Sequence, residues 1–235
     1  MAKADRLMVI SNDLLTVWKD RIRKGSFEVV YNGISVSKYY SLRNIFESHE
    51  VNILCIGSIT KKKGQDQTIR ALGRLKQQIP FLKLNIVGKG ADEESFKELA
   101  CNVGVQDRVR FCGQSTNPMD YYQKTDIFVC NSFREAFGRV TVEAMMAGCL
   151  VIASDSGANS EILERGKYGL LYKYGDIDDL VNKIKYAVAH KDEMRILARN
   201  GQKHAINRYN SLNNAQNIYK VYDEVMKHNG GRKLV

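Results

Sequence analysis

An α/β fold, a parallel sheet covered by helices on both faces, is what this sequence predicts. Three observations lead there. From about residue 50, short apolar runs alternate with amphipathic stretches in a strand, loop, helix rhythm. Gly-containing or polar loops follow the apolar runs, as at Gly57, Gly88 and Gly157. The chain has 235 residues, 44% of them hydrophobic, an ordinary endowment for one large soluble domain or one domain plus a fragment.

The elements follow in order. Strands are expected over 7–10 and 27–30, with a helix over 13–23 between them and a turn at Asn32-Gly33. One such unit cannot bury both faces of its strands. Strand 51–56 leads through loop 57–64 to a helix over 65–78, with Ile69, Leu72 and Leu75 on one face. Strand 82–87 is followed by Gly88-Lys89-Gly90 and a helix over 92–102. Strand 109–112, a short helix over 118–124, strand 126–130 and a helix over 140–147 come next. Strand 150–153, a helix over 160–165 capped by Asn159 or Ser160, strand 169–172 and a helix over 177–190 complete the alternation. A last helix over 212–227 carries Ile218, Val221, Tyr222 and Val225 as an apolar stripe that needs a partner surface. Ligands of such sheets bind at the carboxyl ends of the strands.

Composition narrows the function classes. No stretch approaches the roughly 18 uninterrupted apolar residues of a membrane span. The first residues do not form a secretory signal. Cys55, Cys101, Cys112, Cys130 and Cys149 contain no C-x-x-C pair and read as reduced core thiols of a cytosolic protein. The net charge is +10. Nucleic acid is set aside as a partner, because no zinc-finger spacing and no RNP-like segment accompanies the charge. A cytosolic enzyme working at the inner face of a membrane suits it better. The four histidines are scattered, and the Asp176-Ile177-Asp178 triplet reads as helix capping, so no metal is expected.

The chemistry concentrates in Arg134-Glu135-Ala136-Phe137-Gly138-Arg139-Val140-Thr141-Val142-Glu143. Glu135 is expected in a loop after a strand, and Glu143 one to two turns into a helix. The helix start between them would turn main-chain N–H groups on an anion, phosphate being the usual one. Either carboxylate can grip hydroxyls, which suggests a sugar joined to a nucleotide through a diphosphate. A glutamate pair near a helix start is ordinarily structural, since the macrodipole favours acids there. The surroundings decide. The loop Gly57 to Gly64, with Lys61, Lys62 and Lys63, is a plausible phosphate cradle but no Walker A motif. Gly88-Lys89-Gly90 lacks the third glycine of a dinucleotide fingerprint, which argues against a nicotinamide cofactor.

These segments, taken together and in order, resemble the family 4 retaining glycosyltransferases of the GT-B fold, whose carboxyl-terminal half is a Rossmann-like domain. The likeness covers nearly the whole chain. It runs through Asn32-Gly33, Ile56-Gly57 with Lys63-Gly64, Val87-Gly88-Lys89-Gly90, Val109-Arg110-Phe111-Cys112-Gly113, Asp126-Ile127-Phe128-Val129, Glu135 and Glu143, Ala147-Gly148, Glu161 and Gly169-Leu170. The resemblance implies transfer of a sugar from a UDP- or GDP-sugar to an acceptor hydroxyl, with retention and without metal or cofactor, in polysaccharide or glycolipid assembly. It implies that Lys63 neutralises the diphosphate, aided by Ser58 and Lys62. Glu135 would hold the donor sugar and Glu143 the ribose. Phe137, Gly138, Arg139 and Val140 would supply the distal-phosphate site. Gly88, Gly90, Arg110 and Phe111 would border the base, and Gly157 and Glu161 the same cleft. It further implies that residues 1–35 are a remnant of an amino-terminal acceptor domain, 36–210 the donor domain and 211–235 a crossover helix and tail. The missing half would then come from the rest of the chain or from a partner. Three departures stand out. Ser58 replaces a usual Arg, leaving Lys61 or Lys62 to substitute. Ala136 and Ala158 replace glycines, an expected narrowing of the pocket. The third is length. A non-catalytic nucleotide-sugar-binding or regulatory module, or another GT-B enzyme such as an epimerase or phosphorylase, remains the alternative.

Overall fold

The computed structural model describes residues 5–19 and 27–228. Strands β1 (Leu7–Val9) and β2 (Phe27–Val29) pair in parallel, Leu7 opposite Phe27. Helix α1 (Asn12–Trp18) starts at Ser11, whose hydroxyl accepts from the Leu14 N–H at 3.0 Å. The remainder of the helix expected over 13–23 reaches into 20–26, outside the described residues. A one-turn helix, α2 (Val36–Tyr39), leads to the main sheet and buries Tyr39 edge-on against Tyr122.

The main sheet contains β3 (Val51–Ile56), β4 (Leu82–Val87), β5 (Val109–Phe111), β6 (Ile127–Cys130), β7 (Leu150–Ser154) and β8 (Leu170–Tyr172). All its pairings are parallel, in the order β5-β4-β3-β6-β7-β8. The chain winds outward from β3 to one edge, returns to β6 beside β3, and winds to the other edge. The connections therefore diverge between β3 and β6, and their carboxyl ends open the crevice where ligands of such sheets bind. Asp126 stands just before β6 rather than inside it. Its buried carboxylate accepts from the N–H groups of Phe46 at 2.6 Å and Asn52 at 2.8 Å.

The helices between strands are α3 (Gln65–Leu75), α4 (Glu93–Asn102), α5 (Met119–Tyr122), α6 (Arg139–Met146), α7 (Asn159–Ile162) and α8 (Ile177–Ala189), followed by α9 (Lys191–Arg208) and α10 (Ser211–His228). One face of the sheet packs Ile53, Ile86 and Ile152 against Ile69, Leu72 and Leu75 of α3 and Leu180 and Ile184 of α8. Each fully buried Leu or Ile contributes about 1.5–3 kcal/mol. The opposite face packs Leu54, Phe128 and Val151 against Val142, Met145 and Met146 of α6 and Ile162 of α7.

Three expectations need correction. The sequence reading assigns no element to 191–208, where α9 runs for 18 residues. Its buried positions are Met194, Ala198, Gly201, Gln202 and Ala205, mostly small or polar, so no apolar period announces it. Gln202 is spent on two carbonyls, Ser41 and Met146, each at 2.8 Å. The stripe expected on the last helix is only partly covered: Val221 is buried, whereas Tyr222 is 54% exposed. Not every cysteine is a core thiol. Cys55, Cys130 and Cys149 are buried, but Cys101 lies exposed on α4 and Cys112 is half-buried. Burial pushes the Cys55 and Cys149 thiols up to about 12, so they pack as small apolar groups.

Candidate donor site at the carboxyl ends of the strands

Two loops meet where β3 and β6 end. The loop after β3, residues 57–64, carries Lys61, Lys62 and Lys63; the loop after β6, residues 131–138, carries Glu135. A buried polar network binds their roots. Thr68 donates to the Asn131 side-chain carbonyl at 2.9 Å, and Asn131 Nδ2 donates to the Tyr172 hydroxyl at 3.0 Å. The Tyr172 hydroxyl donates to Gln67 Oε1, also at 3.0 Å. Nearer the surface, the Phe133 N–H donates to the Lys62 carbonyl at 2.9 Å. With both loops so held, Lys63 Nζ reaches Glu135 Oε1 at 2.5 Å. These two residues, far apart in sequence, share one surface of the crevice, half-open to solvent at Lys63.

Helix α6 begins beside them. Gly138 precedes it in the left-handed region (φ +81°), and no side chain caps it. The N–H groups of Thr141 and Val142 bond back to the Gly138 carbonyl at 3.1 and 3.2 Å, whereas those of Arg139 and Val140 have no hydrogen-bond acceptor among the described residues. Unspent N–H groups and the positive end of the helix dipole favour an anion here. Glu143 lies one turn in and is 5% exposed. It accepts from the Tyr122 hydroxyl at 3.2 Å and from Arg139 Nη2 at 3.3 Å. Burial first, then the Glu143 carboxylate, raises the Tyr122 phenol well above its ordinary pKa, so it stays a proton donor. Arg139 is largely exposed and pairs with this carboxylate from the preceding turn of the helix. The ring of Phe137 is buried against Tyr31 and Tyr209, which leaves any ligand contact at this position to the main chain.

The loop after β7 joins the same surface. Glu135 and Gly157 form an isolated parallel bridge, and the Ala158 N–H donates to the Glu135 carbonyl at 2.9 Å. Gly157 sits at φ +67°, and a Cβ there would lie 2.5–2.8 Å from main-chain atoms of Arg134 and Glu135. The expected capping by Asn159 or Ser160 is not made. Ala158 precedes α7 without a side-chain cap, and Asn159 turns inward to Thr141, Cys130 and Ser154. Glu161 is engaged elsewhere: it accepts from the Asn12 N–H at 3.0 Å, from Asn12 Nδ2 and from the Tyr31 hydroxyl. Ser11, fully buried, donates to the Ala136 carbonyl at 2.5 Å. The amino-terminal unit thus clamps the loop after β6 and helix α7 through Ser11, Asn12 and Tyr31, to which the sequence reading gives no site role. Burial, and then Glu161, raises the Tyr31 phenol above its ordinary value.

Toward the other edge the walls are main chain. A Cβ on Gly88 would lie 1.9 Å from the Gly57 carbonyl oxygen, and one on Gly90 would lie 2.1 Å from that of Ile59. The loops after β3 and β4 therefore touch backbone to backbone, which only glycine permits. The Lys61 N–H is held by Asp92 Oδ2 at 2.8 Å, Ser58 is exposed, and its carbonyl accepts from Gln65. On β5, Arg110 is exposed and Phe111 half-buried, with Lys97 Nζ 5.7 Å from the Phe111 ring centroid. Asp176 caps α8 by accepting from the Asp179 N–H at 3.0 Å, and Asp178 pairs with Arg74. Asp176 and Asp178 of this triplet are thus engaged in a helix cap and an ion pair.

The arrangement presents a cation, two carboxylates and an open helix start at the carboxyl ends of β3 and β6. It can take an anion flanked by hydroxyls. Comparison with known proteins identifies the family of the chain. The family model described as Glycosyl transferases group 1 matches residues 43–204. A Bacillus subtilis (strain 168) protein named as a glycosyltransferase, EpsD, is 30% identical over 182 residues, covering 77% of this chain and 47% of that one. The lipopolysaccharide core biosynthesis mannosyltransferase LpsB of Rhizobium meliloti (strain 1021) is 28% identical over 180 residues, covering 74% and 51%. Anabaena Alr3699/HepE, solved in complex with UDP, superposes with a TM-score of 0.86 at 22% identity, covering 94% of this chain and 64% of that one. The chain spans about half the length of the curated relatives it matches. The expected α/β architecture is that of the solved structures on which the chain superposes, a glycosyltransferase from Rickettsia africae ESF-5 among them, and no helix among the described residues is long and apolar enough to cross a membrane.

Proposed function

This chain belongs to the glycosyl transferases group 1, and from that premise we propose that it is the donor-binding half of a family 4 retaining enzyme that uses a UDP- or GDP-sugar. The observation that carries the reading is the Lys63–Glu135 contact at the divergence of β3 and β6, beside the uncapped start of α6. The charges of Lys63 and Glu135 satisfy each other. A donor diphosphate would compete for Lys63, with Lys61 and Lys62 nearby in place of a cation at Ser58. Glu135 would then be free to accept from the sugar hydroxyls. The distal phosphate would take the N–H groups of Arg139 and Val140. The ribose would displace Arg139 from Glu143, and the base would lie against Gly88 and Gly90 near Arg110 and Phe111.

In the transfer step the bond between the sugar's anomeric carbon and the diphosphate oxygen breaks, and a bond to the acceptor oxygen forms on the same face. The acceptor proton passes to the departing phosphate. Charge grows on the diphosphate as the bond breaks, and Lys63 with the helix start would offset it without a metal. Turnover would need the remainder of the protein, with residues 1–35 and 211–235 belonging to or docking on that part. A cytoplasmic setting, at the inner membrane face, and an acceptor in polysaccharide or glycolipid assembly complete the proposal.

Calorimetric titration with UDP, GDP, ADP and their sugars tests it. One nucleotide series is expected to bind, and to bind more weakly to Lys63→Ala and Glu143→Ala. A folded chain that takes none of them, or binding indifferent to both substitutions, would sink the donor reading.

A further inference from the structure

Away from the donor cleft, a second concavity of about 960 Å³ lies between β2, the turn at 164–168, α9 and α10. Lys167, Lys203, Arg208 and Lys220 line it against a single carboxylate, Glu164. Lys167 is 3.5 Å from that carboxylate, whereas Lys203 and Lys220 have no carboxylate partner among the described residues. Arg208 is held over the Tyr31 ring at 5.1 Å. Lys203 and Lys220 thus add positive charge to the wall that no carboxylate among the described residues offsets. Between the cations stand the side-chain amides of Asn200, Gln216 and Asn217, groups that donate to and accept from hydroxyls.

Two further observations bear on this place. Glu164 and Arg165 hold left-handed backbone (φ +43° and +56°), a strain that clusters at ligand sites when the surroundings enforce it. An adjoining concavity of about 590 Å³ shares Tyr31, Glu164 and Arg208 with the first and extends to Gly157 in the loop after β7 and to Glu161 on α7. Cations for a phosphate, amides for hydroxyls and a path to the reacting end form a consistent set.

We propose that this cavity binds the phosphate of a phosphorylated carbohydrate, and that the adjoining concavity leads its hydroxyls toward the donor loops as an acceptor subsite. The acceptor role rests on the transferase reading above; the binding does not. The test is titration of the chain, saturated with UDP, with mannose 6-phosphate and with neutral mannose. A parallel flotation assay uses phosphatidylcholine vesicles with and without phosphatidylinositol 4-phosphate, the lipid-borne form of the same chemistry. Mannose 6-phosphate or the phosphoinositide vesicles are expected to bind, and mannose is not. Binding should weaken about tenfold in K203Q/K220Q, since each exposed charge pair is worth up to about a factor of five. UDP affinity should stay unchanged in that variant. Absence of binding to both phosphate sources, or equal affinity in the variant, overturns the proposal. Failure of UDP binding with mannose 6-phosphate still bound and still sensitive to K203Q/K220Q removes the donor reading and leaves the cavity site standing.

Discussion

Substituting Gly157 by Ala isolates the contact that sets Glu135 in place. Gly157 (φ +67°) and Gly113 (φ +69°) have nearly the same backbone, but a Cβ on Gly113 meets nothing within 4 Å. Gly113→Ala therefore pays only for the left-handed conformation, about 1–2 kcal/mol. At Gly157 the added Cβ also falls 2.5 Å from Glu135 N, 2.6 Å from Glu135 O and 2.8 Å from Arg134 Cα, and no flexible side chain is there to give way. The two loops must part, and the 2.9 Å bond from the Ala158 N–H to the Glu135 carbonyl weakens, a further loss of about 0.5–1.5 kcal/mol. The expected total for Gly157→Ala is about 1.5–3.5 kcal/mol. At about 2–4 °C per kcal/mol for a chain of this size, its melting temperature should fall by about 3–14 °C. Thermal unfolding of both variants, with nucleotide-sugar titration at a temperature where each is folded, reads both effects. Gly157→Ala should lose donor affinity as Glu135 moves, and Gly113→Ala should lose far less. Equal melting temperatures and equal affinities in the two variants would refute the reasoning, because the loop contact would then set nothing.

In an enzyme completed by the remainder of its chain, Glu135→Ala should lower sugar transfer by about 2.7–4 kcal/mol, a factor of about 10² to 10³, and undiminished transfer removes the role given to Glu135. Tyr172→Phe leaves Asn131 and Gln67 each short of a buried partner and should cost about 1–3 kcal/mol in urea unfolding; a neutral result shows that the network does not hold the loops. Burial depresses the His204 imidazole below its ordinary value, despite the opposing pull of Glu164. The folded state then binds fewer protons than the unfolded chain, so the stability from this group is complete above about pH 6.5 and is lost as the pH falls through the folded-state value. Urea midpoints taken downward from neutral pH should fall less steeply in His204→Phe than in the parent, and parallel slopes contradict the assignment.

What the sequence reveals and what it hides follow from the same physics. Strands 51–56 and 82–87 can be read to the residue, because the first is apolar at all but Asn52, the second alternates Leu82, Leu84 and Ile86 with Lys83 and Asn85, and each ends at a glycine. Helix α9 cannot, because it packs through Ala198, Gly201 and Ala205, and close approach of small residues leaves no large apolar period. The pairing of Lys63 with Glu135 is half legible. Each residue stands in a loop after a strand, but their meeting depends on β3 and β6 being neighbours, a fact of topology that no local pattern carries. The network of Thr68, Asn131, Tyr172 and Gln67 is hidden for a related reason: its members look like ordinary polar residues until burial makes their hydrogen bonds obligatory. The same holds for Glu161, whose sequence context points to the donor cleft while the structure engages it with Asn12 and Tyr31. That contact ties the amino-terminal unit to the loop bearing Gly157, and Gly157 in turn to Glu135. The amino-terminal unit is therefore joined to Glu135 through hydrogen bonds to Glu161, the backbone of α7, and the bond from the Ala158 N–H to the Glu135 carbonyl.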